Sequence, residues 1–465
     1  MLSEAKPMAA KSERTIIRGG TVVTAGTDGV GVLRDHTIDI VNGVIVSFGP
    51  EPLRIPGENV EVVEAGGHIV IPGLVNTHQH LYQSITRAMA PVQDAELFHW
   101  LGMLYTRWRH LNYEAVRLAA SVSLGEMLLS GCTTTSDHFY MVPRGSDVRH
   151  EAVIEAADAI GMRIHLCRGS MTVGESGGGL PPDDCTEDED VVLADCVRML
   201  DAWHDPDPLA MRRIDLAPCS PFNVSPELFR DTRDLARARG VLLHTHAAET
   251  MDEERYCLDR FGIRPIPFFE QHGWLGEDVY LAHCVCLNDD DIRLLASSRT
   301  GIAHCPCSNM RLGSGVAPIV KLLAAGAKVG IGVDGSSSND GGNVLAEARQ
   351  AMLLQRVVGG AGAMTTAKAF ELATVGGAAV LNRPKLGRIA VGMAADIAMF
   401  RKDDIALAGA AAQDPLGALI LCHAPRADRV LVGGRTVVQD GRLVTADEHK
   451  LAAELNRVVL DGGYR

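Results

Sequence analysis

Two textures of hydrophobic patterning divide the chain. Near its start, short β-rich runs (TIIRGGTVVTA, HTIDIVNGVIVSFG and VEVVEAGGHIVI) are separated by glycine turns, the pattern of a small antiparallel sheet. ADIAMF and ADRVLVGGRTVVQDGRLV repeat that texture near the other end. Left apart, the two pieces would present an extra set of unpaired sheet edges, so they are expected to join as one small β-sandwich. Between them, short apolar runs alternate with helical periodicity, the pattern of repeated βα units. YEAVRLAASVSLGEMLLSG spaces its apolar residues for a helix and ends on glycine. The run into His78, CTTTSDHF, MRIHLCR, RIDLAPC, VLLHTHAAE, VYLAHCV, GIAHCPC and KVGIGVDGSSSND supply eight candidate strands. They predict an α/β fold, a (β/α)8 TIM-like barrel, with its site at the C-terminal ends of the strands. The expected organisation is a flexible tail over 1–14, the first part of the sandwich over 15–69 and the barrel over 70–386. The rest of the sandwich and a terminal helix follow over 387–465.

Polar residues cluster where those strands end. VNTHQH carries His78 and His80; VLLHTHAAE carries His244, His246 and Glu249. VYLAHC, GIAHC and VGIGVDG end in His283, His304 and Asp334. Residues two apart on a strand share a face, so His78 and His80 can both point into the barrel mouth. A single histidine after an apolar run is usually a satisfied core residue. A His-x-His with further His and Asp endings on other strands is instead the donor set of a metal site.

Composition narrows the function. In 465 residues, hydrophobic residues make up 46% and charged residues 22%, ordinary values for a globular enzyme. The net charge of −14 speaks against a nucleic-acid surface. No apolar run approaches the ~20 residues of a membrane span, and the first residues lack the apolar core of a signal peptide. The 11 cysteines are then expected to be reduced thiols in the cytoplasm. Cys284/Cys286 and Cys305/Cys307 are spaced by one residue, too close for structural zinc, and read as small buried packing residues.

The motifs PGLVNTHQH, HTHAAE, LAHC and GVDGSSSND, with GRIAVGMAADIAMF leading back into the terminal sheet, resemble the amidohydrolase superfamily over nearly the whole chain. That resemblance implies metal ligation by His78, His80, His246 and Asp334, with His244 belonging to the strand. Neither RIDLAPCSP nor MRIHLCRGS holds the lysine that bridges two metals in some members, so one divalent ion is expected, zinc first, with iron or manganese as alternatives. Glu249, three residues past His246, marks the branch that deaminates heterocyclic rings. Its chemistry is attack by a metal-activated hydroxide on the amine-bearing ring carbon. Asp334 would take the water's proton, His283 would hold the nascent hydroxide in line, and Glu249 would protonate a ring nitrogen.

Within that branch, HLYQSITRA, ELFHWL, GSMTVGESGGGLPPDD and APCSPFNVSPELF are most similar to the members that act on 8-oxoguanine and on s-triazines. Asp334 favours deamination over dechlorination, because the triazine chlorohydrolase of the set lacks that residue. Nucleoside-type members carry a histidine in place of Cys219 and an acid near Trp108 and Arg109, so a free base is expected here. The implied reaction is 8-oxoguanine plus water to urate plus ammonia; an s-triazine or other heterocycle hydrolase is the alternative, with guanine or nucleoside deaminases behind it. Gln83 is expected to pair with a purine carbonyl and ring N–H, and Trp100 to lie against the ring. His138 and His304 are expected at the mouth without metal contact. The Gly/Pro-rich loop 169–184 reads as a lid or a plain connection. A small heterocyclic base and further copies of the chain are the expected partners, with neither nucleic acid nor membrane.

Overall fold

A closed parallel barrel forms the centre of the protein in a computed structural model that describes residues 14–26, 29–50, 60–422 and 426–464. Its strands, in order around the barrel, are β1 (Leu74–Asn76), β2 (Cys132–Phe139), β3 (Arg163–Ser170), β4 (Arg212–Pro218), β5 (Leu243–Ala247), β6 (Val279–His283), β7 (Gly301–His304) and β8 (Lys328–Ile331). These are the eight apolar runs read from the sequence. Pairing of Ile331 with Asn76 closes the ring. The expected tail falls outside the described residues, apart from Arg14.

Each βα unit is terminated by local chemistry. The helix Tyr113–Leu129 starts where the Asn112 side chain accepts the Ala115 N–H, and it gives way to Gly131 at φ 90°. Pro226 opens the helix Pro226–Arg239 behind a Ser225 cap, and Gly240 ends it in the left-handed conformation. One continuous apolar core fills the space between barrel and helices.

The two chain ends combine, as expected, into one nine-stranded sheet beside the barrel. Its pairing is mixed rather than wholly antiparallel. The long strand Arg14–Gly26 pairs antiparallel with Gly29–Val41, and on its other edge runs parallel to both Val60–Glu64 and His68–Pro72. A bend between those two short strands lets both follow one long neighbour in the same direction. His68–Pro72 also pairs antiparallel with Ile397–Arg401, which joins the two chain ends. Ile17, Val22, Ile38, Val70, Ile397 and Leu431 are buried in the sheet's own apolar cluster.

Barrel and sheet share a charged anchor. Arg163 Nε and Nη2 each donate to Asp396 at 3.0 Å, and the same carboxylate accepts the Gly433 N–H at 2.7 Å. Arg163 and Asp396 are buried. Removing one partner of such a pair leaves the other charge buried without compensation, at about 3–5 kcal/mol. Asp396→Ala is therefore expected to lower the thermal midpoint clearly without touching the barrel mouth. A melting curve superposable on the parent's would contradict that role.

Candidate active site and metal centre

The loops that leave β1 and β8 are stitched together before any ligand is considered. Asn76 donates to the His78 carbonyl (3.1 Å) and to Thr135 Oγ1 (2.9 Å), and accepts the Val333 N–H (2.8 Å). The Asp334 N–H then donates to the His78 carbonyl at 3.0 Å. As a result Asp334 Oδ1 lies 3.3 Å from Nε2 of both His78 and His80. Four residues at this mouth hold the left-handed backbone conformation that favours glycine: Ala248 (φ 51°), His283 (φ 71°), its neighbour Cys284 (φ 49°) and Asp334 (φ 61°). Such conformations cost about 1–3 kcal/mol each and persist where surrounding contacts over-determine them.

Hydrogen bonds to backbone carbonyls fix the tautomers of the histidines. His80 Nδ1 donates to the His138 carbonyl (2.6 Å) and His246 Nδ1 to the Cys219 carbonyl (2.7 Å). Burial holds both rings neutral, His80 at about 3 and His246 well below the usual histidine range. With the proton on Nδ1, each Nε2 carries a lone pair. Those two Nε2 atoms face each other 3.2 Å apart, and neither can donate to the other. His244 donates from Nδ1 to the Tyr280 carbonyl (2.8 Å), so its Nε2 accepts from His78 Nδ1 (2.8 Å). His78 Nε2 is thereby a third lone pair, buried without a hydrogen-bond partner and facing a carboxylate. Converging lone pairs and one carboxylate oxygen form an arrangement that a cation stabilises and that repels itself otherwise. The donor set suits a divalent metal.

Three overlapping sets of close ligand atoms occur among the described residues, all containing His78: with His80 and Asp334, with His138 and His246, and with His283 and Cys305. Burial holds the Cys305 thiol well above its usual pKa, which keeps it protonated and a poor ligand. All 11 cysteines are free.

Glu249 lines the same cavity as His80, His246 and His283. Its backbone N–H and that of Ala248 donate to the buried Glu253 carboxylate (2.7 and 2.9 Å), which fixes the turn after β5. Its own carboxylate lies 3.7 Å from His283 Nε2, and His283 Nε2 is 4.0 Å from Asp334 Oδ2. Burial raises Glu249 to about 7, poised to take or give a proton near neutrality. Burial alone would lower His283, but the neighbouring Glu249 and Asp334 carboxylates leave it raised. Its Nδ1 points at Asn309 Oδ1 (2.9 Å).

The central cavity is lined by His80, Gln83, Leu97, Trp100, His246, Glu249, His283, Leu312, Asp334 and Ser338. Gln83 and Trp100, singled out from the sequence, thus meet the metal-binding candidates in one space. Gln83 Oε1 is buried without a partner, and Trp100 is oriented by its indole N–H on the Ser337 carbonyl (3.3 Å). Gly335 lies against the Gln83 amide: a Cβ at that position would stand 1.9 Å from Gln83 Oε1, so a larger residue would displace that amide. His138 comes nearer than the sequence suggested, its ring stacked on His246 with centroids 4.7 Å apart and Nδ1 unpartnered. His304 is buried behind the site with neither ring nitrogen paired. No residue of the 169–184 loop lines the cavity. That loop is tied to the rim instead, through Asp184 to Arg109 (3.0 Å) and the Gly177 carbonyl to Arg260 (3.4 Å). Sequence reasoning missed Glu253, Asn309, Leu97, Leu312 and Ser338. Two of them stood in motifs already singled out: Leu97 in ELFHWL, and Ser338, four residues past Asp334, in GVDGSSSND.

Comparison with known proteins follows the same lines. Residues 69–437 match the amidohydrolase family. An 8-oxoguanine deaminase from Pseudomonas aeruginosa is 48% identical over 390 residues, covering 84% of this chain and 86% of that protein. An isoxanthopterin deaminase from an unknown prokaryotic organism is 36% identical over 471 residues, 96% of each. Among solved structures, the atrazine chlorohydrolase of Arthrobacter aurescens TC1 complexed with zinc superposes with a TM-score of 0.91 at 36% identity, covering 96% of this chain and 100% of that one.

The lone-pair arrangement predicts that His78→Ala, His246→Ala and Asp334→Ala each purify with less divalent metal than the parent. Elemental analysis checks it, and unchanged metal in all three would contradict the assignment.

Proposed function

The chain belongs to the amidohydrolase family, as a hydrolase acting on carbon–nitrogen bonds, and from that premise we propose that it deaminates a purine-like free base, 8-oxoguanine in first place. The observation that carries the reading is one buried cavity that Glu249 shares with His80, His246, His283 and Asp334, with Gln83 and Trp100 in the same lining. The identity to an 8-oxoguanine deaminase supports the choice of base. In this reading His78, His80, His246 and Asp334 hold one divalent ion, most simply zinc. When bound, such an ion lowers the pKa of a coordinated water to near neutrality.

The chain's own residues do the rest. Asp334 accepts the water's proton on Oδ2, the oxygen that Ser338 already holds at 3.1 Å. His283 Nε2, between Glu249 and Asp334, orients the attacking oxygen. Glu249 carries a proton to the ring nitrogen beside the amine-bearing carbon, and that carbon becomes electrophilic. A proton then passes to the departing amine, so that 8-oxoguanine and water yield urate and ammonia. Gln83 presents its amide to a ring carbonyl and the adjacent N–H, and Trp100 lies against the ring face. Leu97 and Leu312 keep the pocket apolar around the ring. Glu249 and Asp334 are the only carboxylates in the lining among the described residues, and both are engaged in the chemistry. No acid is left for ribose hydroxyls, which favours a base over a nucleoside. The second reading, an s-triazine hydrolase, is favoured by the close structural likeness to the atrazine enzyme.

Glu249→Gln is expected to keep bound metal and fold while turnover falls by about 10²–10⁴-fold, since an amide can hydrogen-bond the ring but cannot carry its proton. Near-normal turnover with full metal content would move the proton route to another group.

Substrate choice follows from the same pocket. Measured as kcat/KM on one preparation, 8-oxoguanine is expected to exceed guanine by at least about tenfold, because each buried polar group left unpaired costs about 1–3 kcal/mol. It is expected to exceed its deoxynucleoside by more. Equal values for base and nucleoside would defeat the free-base reading, and turnover of aminotriazines alone would establish the second one.

A further inference from the structure

Barrel interiors are ordinarily layered with Val, Ile and Leu. Beneath the histidine cluster this one holds a connected line of polar side chains instead. Arg383 Nη1 lies 3.2 Å from His165 Nε2. A guanidinium can only donate, so His165 carries its own proton on Nδ1 and donates to Asp215 Oδ2 at 3.0 Å. The Tyr280 hydroxyl donates to that same oxygen at 3.0 Å. The Tyr280 ring lies flat on His244, with centroids 3.9 Å apart and an interplanar angle of 11°, and the Tyr280 carbonyl accepts from His244 Nδ1 at 2.8 Å. His244 Nε2 then accepts from His78 Nδ1 at 2.8 Å. All six residues are buried. The sense of these hydrogen bonds is set by groups that act one way: the Arg383 guanidinium donates, Asp215 accepts from both His165 and Tyr280, and the Tyr280 carbonyl accepts from His244.

We propose that His244 is a positioning residue for the metal site: it locks His78 in the tautomer whose Nε2 lone pair faces Asp334, and Tyr280, held by Asp215, is the plate that keeps the His244 ring in place. The inference rests on the metal reading above and adds to it a residue otherwise assigned to the strand. Without an acceptor at His244 Nε2, His78 is free to move its proton to Nε2, where it would point at the ion's position. Partners that orient a metal-ligating histidine in this way typically contribute about 10–100-fold in metal affinity.

The test compares zinc affinity, by competition with a chromophoric chelator on metal-stripped protein, for the parent and three variants. His244→Phe keeps the ring volume and the stack on Tyr280 but removes both nitrogens. His244→Asn is polar but too short to reach His78. His244→Gln places Oε1 where Nε2 stands. The expected result is affinity weakened about 10–100-fold in His244→Phe and His244→Asn, with His244→Gln within about threefold of the parent. If His244→Phe does not fold, the Asn and Gln variants decide between themselves. Parent-like affinity in His244→Asn overturns the inference, as does a Gln variant as weak as the Asn one, which would reduce His244 to packing. A parent that binds no zinc fails the metal reading itself, a different outcome from a parent that binds and a variant that binds equally.

Discussion

Backbone carbonyls decide which nitrogen of His80, His244 and His246 holds its proton, and the rest of the site follows from that constraint. The His138, Cys219 and Tyr280 carbonyls each accept from an imidazole Nδ1. Because a strand carbonyl cannot donate, the opposite edge of each of these rings is left as an acceptor. His80 and His246 turn that edge directly into the mouth; His244 hands it to His78, which in turn faces inward. The barrel thus builds an electron-rich focus before any ion arrives. Burial keeps the rings neutral, which is the form that can ligate.

This preorganisation has costs that appear elsewhere in the fold. Ala248, His283 and Asp334 are held in backbone conformations that ordinary residues avoid, and each lies at the end of a barrel strand that carries site chemistry. Glu253 spends a buried carboxylate on two backbone N–H groups only to fix the turn bearing Glu249. Gly335, without a side chain, leaves the Gln83 amide the space that a Cβ would fill. The stitched contact of the Asp334 N–H with the His78 carbonyl couples the first and last strands, so candidate ligands far apart in sequence become neighbours.

Much of this was legible in the sequence because each barrel strand is an apolar run that stops at a polar residue. The eight strands, His78, His80, His246 and Asp334, and the meeting of Gln83, Trp100 and Glu249 at one mouth follow from that rule with the resemblance to a known family. What escaped was set by long-range geometry. Nothing local marks Ala248 or His283 as left-handed, or Asn309 as the partner of His283 across two loops. The parallel edge of the terminal sheet depends on one long strand accepting two short ones, which alternation alone does not encode. The composition of the 169–184 loop leaves lid and connection open, and its hydrogen bonds to Arg109 and Arg260 are long-range contacts that composition does not encode. His244 looked like strand filler because its role runs through another residue's ring.

The central claim is that carbonyl-fixed tautomers preset one metal position. Anomalous diffraction from crystals of the zinc-loaded protein, collected on both sides of the zinc edge, tests it most directly. The account predicts a single strong peak within bonding distance of Nε2 of His78, His80 and His246 and of an Asp334 oxygen. A peak ligated through Nδ1, a position away from these four side chains, or two peaks of equal occupancy would contradict it.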